Sequence, residues 1–293
     1  MRNDSISSTR RMARVCEGVE MVEWLPSDLE REVLVSGLDH VEGICWDDRR
    51  RCLWAGGEAG QVYRVNLSGA SEIVTVVPGG ALLGLALDRR GDLYICDPGN
   101  HQVWRMGEDY SVTAFGEPIE YPNYPAFGPD GRLYVSDSGS FVEPSGRVVA
   151  IDSKGVTTDV SPRPLAFANG IAIDGTTLWV IESSAPGVSS MSIDGGPLTM
   201  RIPMERCVPD GLAFDAAGGL LISCYQPNQL WRWSAEGGLQ LIFDDWSGEF
   251  ILSPTNVAFY GDGLSRLALA SLCGHDIVTI KAPVAGRPIE FFV

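Results

Sequence analysis

The sequence predicts an all-β fold, a six-bladed β-propeller with four antiparallel strands per blade, and three observations carry that prediction. A short pattern recurs along the chain: a polar or variable anchor, a Gly or small residue, an apolar pair, an Asp, and a Gly-containing turn. Val208-Pro209-Asp210-Gly211-Leu212-Ala213-Phe214-Asp215 is its clearest copy. Aligned on the anchor, the copies begin at Glu42, Leu83, Asn123, Asn169, Asp210 and Asn256, at spacings of 41, 40, 46, 41 and 46 residues. Each period holds short β-type runs separated by turn residues, and a period near 40–45 residues with four such runs marks one propeller blade.

Taken in order, the residues ahead of the first repeat include β-type runs at 19–24 and 31–36, separated by Pro26 and Ser27. The first repeat runs from Glu42 through 52–55 and 61–65 to 72–77, with a Gly-rich turn at 56–60. The second has runs at 83–88, 91–97, 102–105 and 111–115, and the third passes from Asn123 through Phe127-Gly128-Pro129-Asp130-Gly131 into Leu133-Tyr134-Val135. The fourth opens on Asn169-Gly170-Ile171, the fifth on Asp210, and the sixth on Asn256-Val257-Ala258, ending near 276–280. One blade cannot bury both of its faces, so blades must stack and the ring must close. The run at 31–36 precedes the first repeat as 72–77 precedes the second, which predicts that it supplies the outer strand of the sixth blade. The expected organisation is a flexible leader at 1–18 and a single propeller domain over 19–293.

Composition narrows the function classes. Hydrophobic residues at 45% and charged residues at 20% are those of a packed globular chain. A formal charge of -16 repels a phosphate backbone and anionic lipid, so neither nucleic acid nor a membrane surface is an expected partner. The N-terminal residues are polar, with Arg2, Arg10, Arg11 and Arg14 and no apolar signal core. Seven cysteines, an odd number without a CxxC pair, argue against a disulfide framework or zinc finger and point to a reducing cytoplasm.

The anchors carry the chemistry. In a propeller the innermost strands line the central channel, so Glu42, Asn123, Asn169, Asp210 and Asn256 are expected to approach one axis. Two carboxylates and three carboxamides are oxygen donors of the kind hard cations such as Ca²⁺ accept. The other reading of the same residues is that they cap turns, since Asn and Asp are common turn formers. Elsewhere, His40, His101 and His275 show no HxH or HExxH spacing, and GxSxG elbows and phosphate-binding glycine loops are missing. Asp97 and Asp137 read as structural turn residues, and Trp54, Trp104, Trp179 and Trp231 as blade core.

Val41-Glu42-Gly43, Pro122-Asn123, Ala168-Asn169-Gly170-Ile171, Pro209-Asp210-Gly211 and Pro254-Thr255-Asn256-Val257-Ala258-Phe259, in that order, resemble the SMP-30/gluconolactonase/LRE family over about residues 31–281. The resemblance implies a metal-dependent lactonase with one divalent ion, Ca²⁺ foremost and Zn²⁺, Mn²⁺ or Mg²⁺ as alternatives. It implies that Glu42, Asn169 and Asp210 hold the ion, that Asp210 also orients or deprotonates a water, and that Asn123 and Asn256 face the ion or the substrate. Where many members have Arg two residues before the channel Asn, this chain has Tyr121, and Tyr124 replaces a frequent Asp; the aromatic pair implies a substrate less polar than an aldonolactone, the other reading being that either tyrosine is simply packed at the channel mouth. Alternatives are a metal-dependent lyase or isomerase, which needs the same polarised carbonyl, and a non-enzymatic binding propeller. The substrate and the oligomeric state are not fixed by the sequence.

Overall fold

The structure, a computed structural model, describes residues 30–288. The expected leader at 1–18 and the run at 19–24 lie outside the described residues. Strand β1 (Arg31–Val35) precedes the first blade, β2 (Gly43–Asp47), β3 (Cys52–Gly56), β4 (Gln61–Asn66) and β5 (Ser71–Val76). Blade two is β6 (Leu85–Leu87), β7 (Leu93–Asp97), β8 (Gln102–Met106) and β9 (Val112–Ala114); blade three is β10 (Pro122–Phe127), β11 (Leu133–Asp137), β12 (Arg147–Ile151) and β13 (Thr157–Asp159). Blade four is β14 (Ala168–Asp174), β15 (Thr177–Glu182), β16 (Gly187–Ser192) and β17 (Thr199–Pro203). Blade five is β18 (Val208–Phe214), β19 (Leu220–Gln226), β20 (Gln229–Ser234) and β21 (Gly238–Asp244), and blade six begins with β22 (Pro254–Tyr260), β23 (Arg266–Ser271) and β24 (Ile277–Lys281).

Each blade is a four-stranded antiparallel sheet, and the fourth strand of blade six is β1, as expected from sequence. Arg31 pairs with Ile280, Glu32 with Thr279 and Val33 with Val278, so the start of the ring is hydrogen-bonded to its end. Inside each blade the hairpins are set by turn chemistry. The Asp that ends an inner strand folds back on the turn that follows: Asp88 Oδ1 accepts from the Arg90 and Asp92 amides at 2.8 and 2.9 Å, and Asp215 Oδ1 from the Ala217 and Gly219 amides at 2.9 and 2.7 Å. These are Asx turns, and they fix where each inner strand stops.

The core is distributed between blades. Six apolar clusters each combine residues of two neighbouring blades, and one joins Ile44, Trp46 and Leu53 of blade one to Tyr260, Ala268 and Ile277 of blade six. Burial of those faces is the main force holding the ring closed, because no blade has an apolar core of its own. Trp54 is 1% exposed and its Nε1 donates to Asp47 Oδ2 at 3.1 Å, while Trp104 Nε1 donates to Asp97 Oδ2 at 2.8 Å, so both are blade-core residues. Among the described residues, no helix is long and apolar enough to cross a membrane.

The innermost strands β2, β6, β10, β14, β18 and β22 touch in succession, and β22 touches β2. Near the axis their backbones come very close. A Cβ on Gly43 would lie 1.9 Å from the Leu83 carbonyl oxygen, one on Gly170 would lie 2.3 Å from that of Asp210, and one on Gly211 would lie 2.6 Å from that of Thr255. The Gly after an anchor is therefore a packing requirement of the ring. Because each anchor lies within two residues of the start of its inner strand, the anchors share one rim of the channel, together with the loops that join second to third strands and fourth strands to the next blade.

Candidate metal centre and active site

On that rim Asn169 and Asp210, from adjacent inner strands, are in direct contact: Asn169 Nδ2 donates to Asp210 Oδ2 at 3.1 Å and to Ser183 Oγ at 3.2 Å. Ser183, at the end of β15, donates in turn to the Pro209 carbonyl at 2.7 Å, which fixes the peptide just ahead of Asp210. Asn123 is held in the same manner, its Nδ2 donating to Ser138 Oγ at 2.9 Å while Ser138 donates to the Ala168 carbonyl at 2.8 Å. Ser223 donates to the Thr255 carbonyl at 3.0 Å, and Thr255 Oγ1 to the Glu42 carbonyl at 3.1 Å. Buried hydroxyls thus bind the backbone beside one anchor to that of the next, giving the inner ring little freedom to shift. Ser138, Ser183 and Ser223 are functional neighbours that sequence reading passes over, because a lone Ser at a strand end has no distinctive pattern.

Of the two readings of Tyr124, the structure shows the packed one. It packs on the core shared by blades three and four, and its hydroxyl donates to Asn256 Oδ1 at 3.0 Å. Blades three and six are opposite each other in a six-membered ring, so this bond spans the channel and orients Asn256. Tyr124 is a strut, whereas Tyr121 is 40% exposed on the rim. Leu83, the anchor of blade two, offers no donor atom, and its place in the ring is apolar.

The electrostatics bring Glu42 into the same site. Burial, and then repulsion from Glu58, push the Glu42 carboxyl up to about 7. Asp210 is raised well above the usual carboxylate range, first by burial and then by repulsion from Glu42, with the Asn169 hydrogen bond opposing. Three tyrosines report the same field: Tyr121, Tyr124 and Tyr225 are all raised, chiefly by burial, and the charge of Asp210 contributes in each case. Tyr225, at the rim end of β19, feels both Asp210 and Glu42 and is pushed up to about 12. It was not identified from sequence, since it lies outside the anchor register. Among the described residues, none of the groups acting on Glu42 or Asp210 is a cation, so the two acidic groups share a desolvated site in which no described residue offsets their charge.

That arrangement fits a divalent ion. Asn169 is 2% exposed, its nitrogen is fully used, and among the described residues its Oδ1 has no hydrogen-bond partner. An orphaned buried carbonyl oxygen is costly, and here it sits beside the Asp210 carboxylate. Hard cations take such mixed carboxylate and carbonyl oxygens. Among the described residues, Asp39, His40 and Glu58 form a separate group whose ligand atoms lie within 4.8 Å of one another. There His40 Nδ1 is 2.9 Å from Glu58 Oε2 and the His40 ring lies 4.5 Å from that of His275, tilted by 48°, which accounts for His40 as a rim turn residue at φ 37°.

Fold and donor set together define a six-bladed propeller with an oxygen-rich channel site. Residues 37–272 match the SMP-30/Gluconolactonase/LRE-like region, and the chain belongs to that family. Among solved structures it is similar to the calcium-binding protein regucalcin from Agrobacterium tumefaciens, with TM-score 0.76 and 18% identity over 90% of this chain and 98% of that one. A gluconolactonase from Xanthomonas campestris superposes with TM-score 0.75 at 18% identity, over 87% of this chain and 90% of that one. A luciferin-regenerating enzyme gives TM-score 0.74 at 17% identity, over 88% and 97%. No curated protein matches the sequence.

Proposed function

We propose that the protein is a divalent-metal-dependent lactone hydrolase, with Ca²⁺ the preferred ion and Glu42, Asn169 and Asp210 its holders. The observation that carries this reading is the Asn169 Oδ1 beside Asp210, unpartnered among the described residues, in a site where Glu42 raises Asp210 by repulsion and no described cation offsets the two carboxylates. Family membership supports the same reading. A divalent ion bound there supplies a Lewis acid that polarises a carbonyl oxygen.

The chain's own residues do the rest. Asp210 Oδ2 is occupied by the Asn169 amide, which leaves Oδ1 to orient a water and take its proton as the water adds to the acyl carbon. The ring C–O bond then breaks, Asp210 returns the proton to the departing ring oxygen, and the product is a hydroxy acid. In this reading Asn123 and Asn256 hold substrate oxygens and Tyr121 stands at the mouth; the bonds of Asn123 to Ser138 and of Asn256 to Tyr124, which fix both carboxamides, support it. The cysteines suit a reducing cytoplasm: Cys45, Cys52, Cys96, Cys207 and Cys224 are buried free thiols that act as small apolar side chains.

The test is hydrolysis of a lactone panel by the purified protein, with and without chelator, together with incorporation of one solvent oxygen into the product. Activity abolished by chelator, restored by Ca²⁺ and lost in Asp210→Asn is expected, with Ca²⁺ affinity of that variant lowered by more than about tenfold. Full turnover in Asp210→Asn, or after chelation, would overturn the assignment. A product without added water would favour a lyase or isomerase.

A further inference from the structure

Phe167 and Tyr121 each stand two residues ahead of a channel carboxamide, Asn169 and Asn123, and both lie on the rim where the inner strands begin. Phe141 lies in the loop joining β11 to β12, on the same rim. The three rings form one cluster: Phe141 meets Phe167 edge-on at 5.1 Å between centroids, and Tyr121 lies 6.2 Å from Phe167. Much of the cluster is open to water, with Tyr121 40% and Phe141 45% exposed. Contiguous apolar surface of this kind beside a polar site is characteristic of ligand grooves.

The backbone is held to present it. Phe167 has φ +58°, a left-handed conformation that bulky side chains seldom adopt. The Ser183 amide donates to its carbonyl at 3.1 Å and the Ser184 amide to that of Ala166 at 3.1 Å, which stabilises the bend. On Tyr121 the amide donates to Asp137 Oδ1 at 2.9 Å and the carbonyl accepts from Ser138 at 3.0 Å. Strained backbone held in this way clusters at functional sites. Tyr121 also connects the cluster to the chemistry, because its phenol lies in the field of both Glu42 and Asp210. The cations nearest in sequence are already committed: Arg147 pairs with Asp137 at 2.9 Å and Arg163 with Glu182 at 2.6 Å.

We infer that Tyr121, Phe141 and Phe167 form an aromatic wall that receives an alkyl or aryl arm on the substrate, so that the protein prefers lactones with an apolar substituent to polyhydroxylated sugar lactones. The inference rests on the lactonase reading above and names its substrate class. Sugar hydroxyls laid against these rings would lose water without gaining acceptors, whereas an alkyl chain gains by leaving water.

The closing experiment compares γ-butyrolactone, γ-octalactone, γ-decalactone and glucono-1,5-lactone on the Ca²⁺-loaded protein. The wild type should gain roughly threefold in kcat/KM for each of the first few methylenes added. Phe167→Ala and Phe141→Ala should each lower the ratio of kcat/KM on γ-decalactone to that on γ-butyrolactone by about tenfold or more. Phe141 is on an exposed loop, so its variant carries the test if Phe167→Ala is poorly folded. Calorimetry with 5-hexyl-2-pyrrolidinone against 2-pyrrolidinone reads the wall without turnover. Lactones hydrolysed with no chain-length dependence, or glucono-1,5-lactone preferred, overturn the wall and leave the hydrolase standing. Hexyl-dependent binding that Phe141→Ala abolishes, with no lactone hydrolysed, supports the wall and overturns the hydrolase.

Discussion

Replacing Gly170 by Ala tests how closely the inner strands must approach to assemble the site. The added Cβ would lie 2.3 Å from the Asp210 carbonyl oxygen, 3.1 Å from Gly211 Cα and 3.2 Å from Leu212 N, all backbone atoms that cannot rotate away. Normal contact distances require β18 to retreat from β14 by about 1 Å. The Asn169 Nδ2 to Asp210 Oδ2 bond, now 3.1 Å, would stretch beyond hydrogen-bonding range. Overpacking of this kind costs about 1–3 kcal/mol, and in a domain of this size each kcal/mol lowers Tm by roughly 2 °C or a little more, so a fall of about 2–8 °C is expected. Gly107→Ala is the control, since its Cβ would meet only Asp109 Oδ1 at 3.4 Å and it should melt like wild type. The assays are calorimetric melting and Ca²⁺ titration of both variants. A Gly170→Ala protein that melts within a degree of wild type and binds Ca²⁺ as tightly would refute the close approach as the device that pairs Asn169 with Asp210.

Three further outcomes follow from the same structure. Ca²⁺ should raise Tm more at pH 8 than at pH 5, because the Glu42 and Asp210 carboxyls are raised and protons compete with the ion as pH falls; a calcium shift that grows on acidification would contradict the ligand set. Asp47 is the converse case: burial raises its pKa, but bonds from the Arg50 side chain and amide and from Trp54 outweigh this and leave it lowered. Its contribution is therefore present above the unfolded value near 4 and lost as pH falls through the folded pKa, so the Tm gap between wild type and Asp47→Asn should close in acid. Deleting residues 30–36 removes β1, including the Arg266 contacts to Glu30 and Glu32, and should destabilise the whole ring in one cooperative transition; unchanged melting would refute closure by this strand.

How much of the molecule can be read from the chain depends on whether the determining interaction is repeated. The blade is written six times, so Asp88 and Asp215 could be identified as turn residues and Glu42, Asn123, Asn169, Asp210 and Asn256 as one set of anchors before any contact was known. The closing role of the N-terminal run was legible too, because 31–36 stands ahead of the first repeat as 72–77 stands ahead of the second. Period and register fix both, since side chains at equivalent places in a closed ring must face the same axis.

Contacts made once, between blades distant in sequence, were decided by the tertiary structure alone. From sequence Tyr124 could face a substrate or be packed at the channel mouth, and only the fold shows that it reaches Asn256, 132 residues away, as a strut. Tyr225 enters the field of Glu42 and Asp210 only when β19 is folded against the channel, and Phe141 joins Phe167 and Tyr121 only when two loops meet on the rim. The Ser183 hydroxyl gains its role by lying between Asn169 and Pro209. Periodicity specifies direction, and so the sequence determined the ring and the repeat positions from which its anchors come. Distance across the ring depends on packing at all six blade interfaces together, and only the folded structure could decide which side chains meet there.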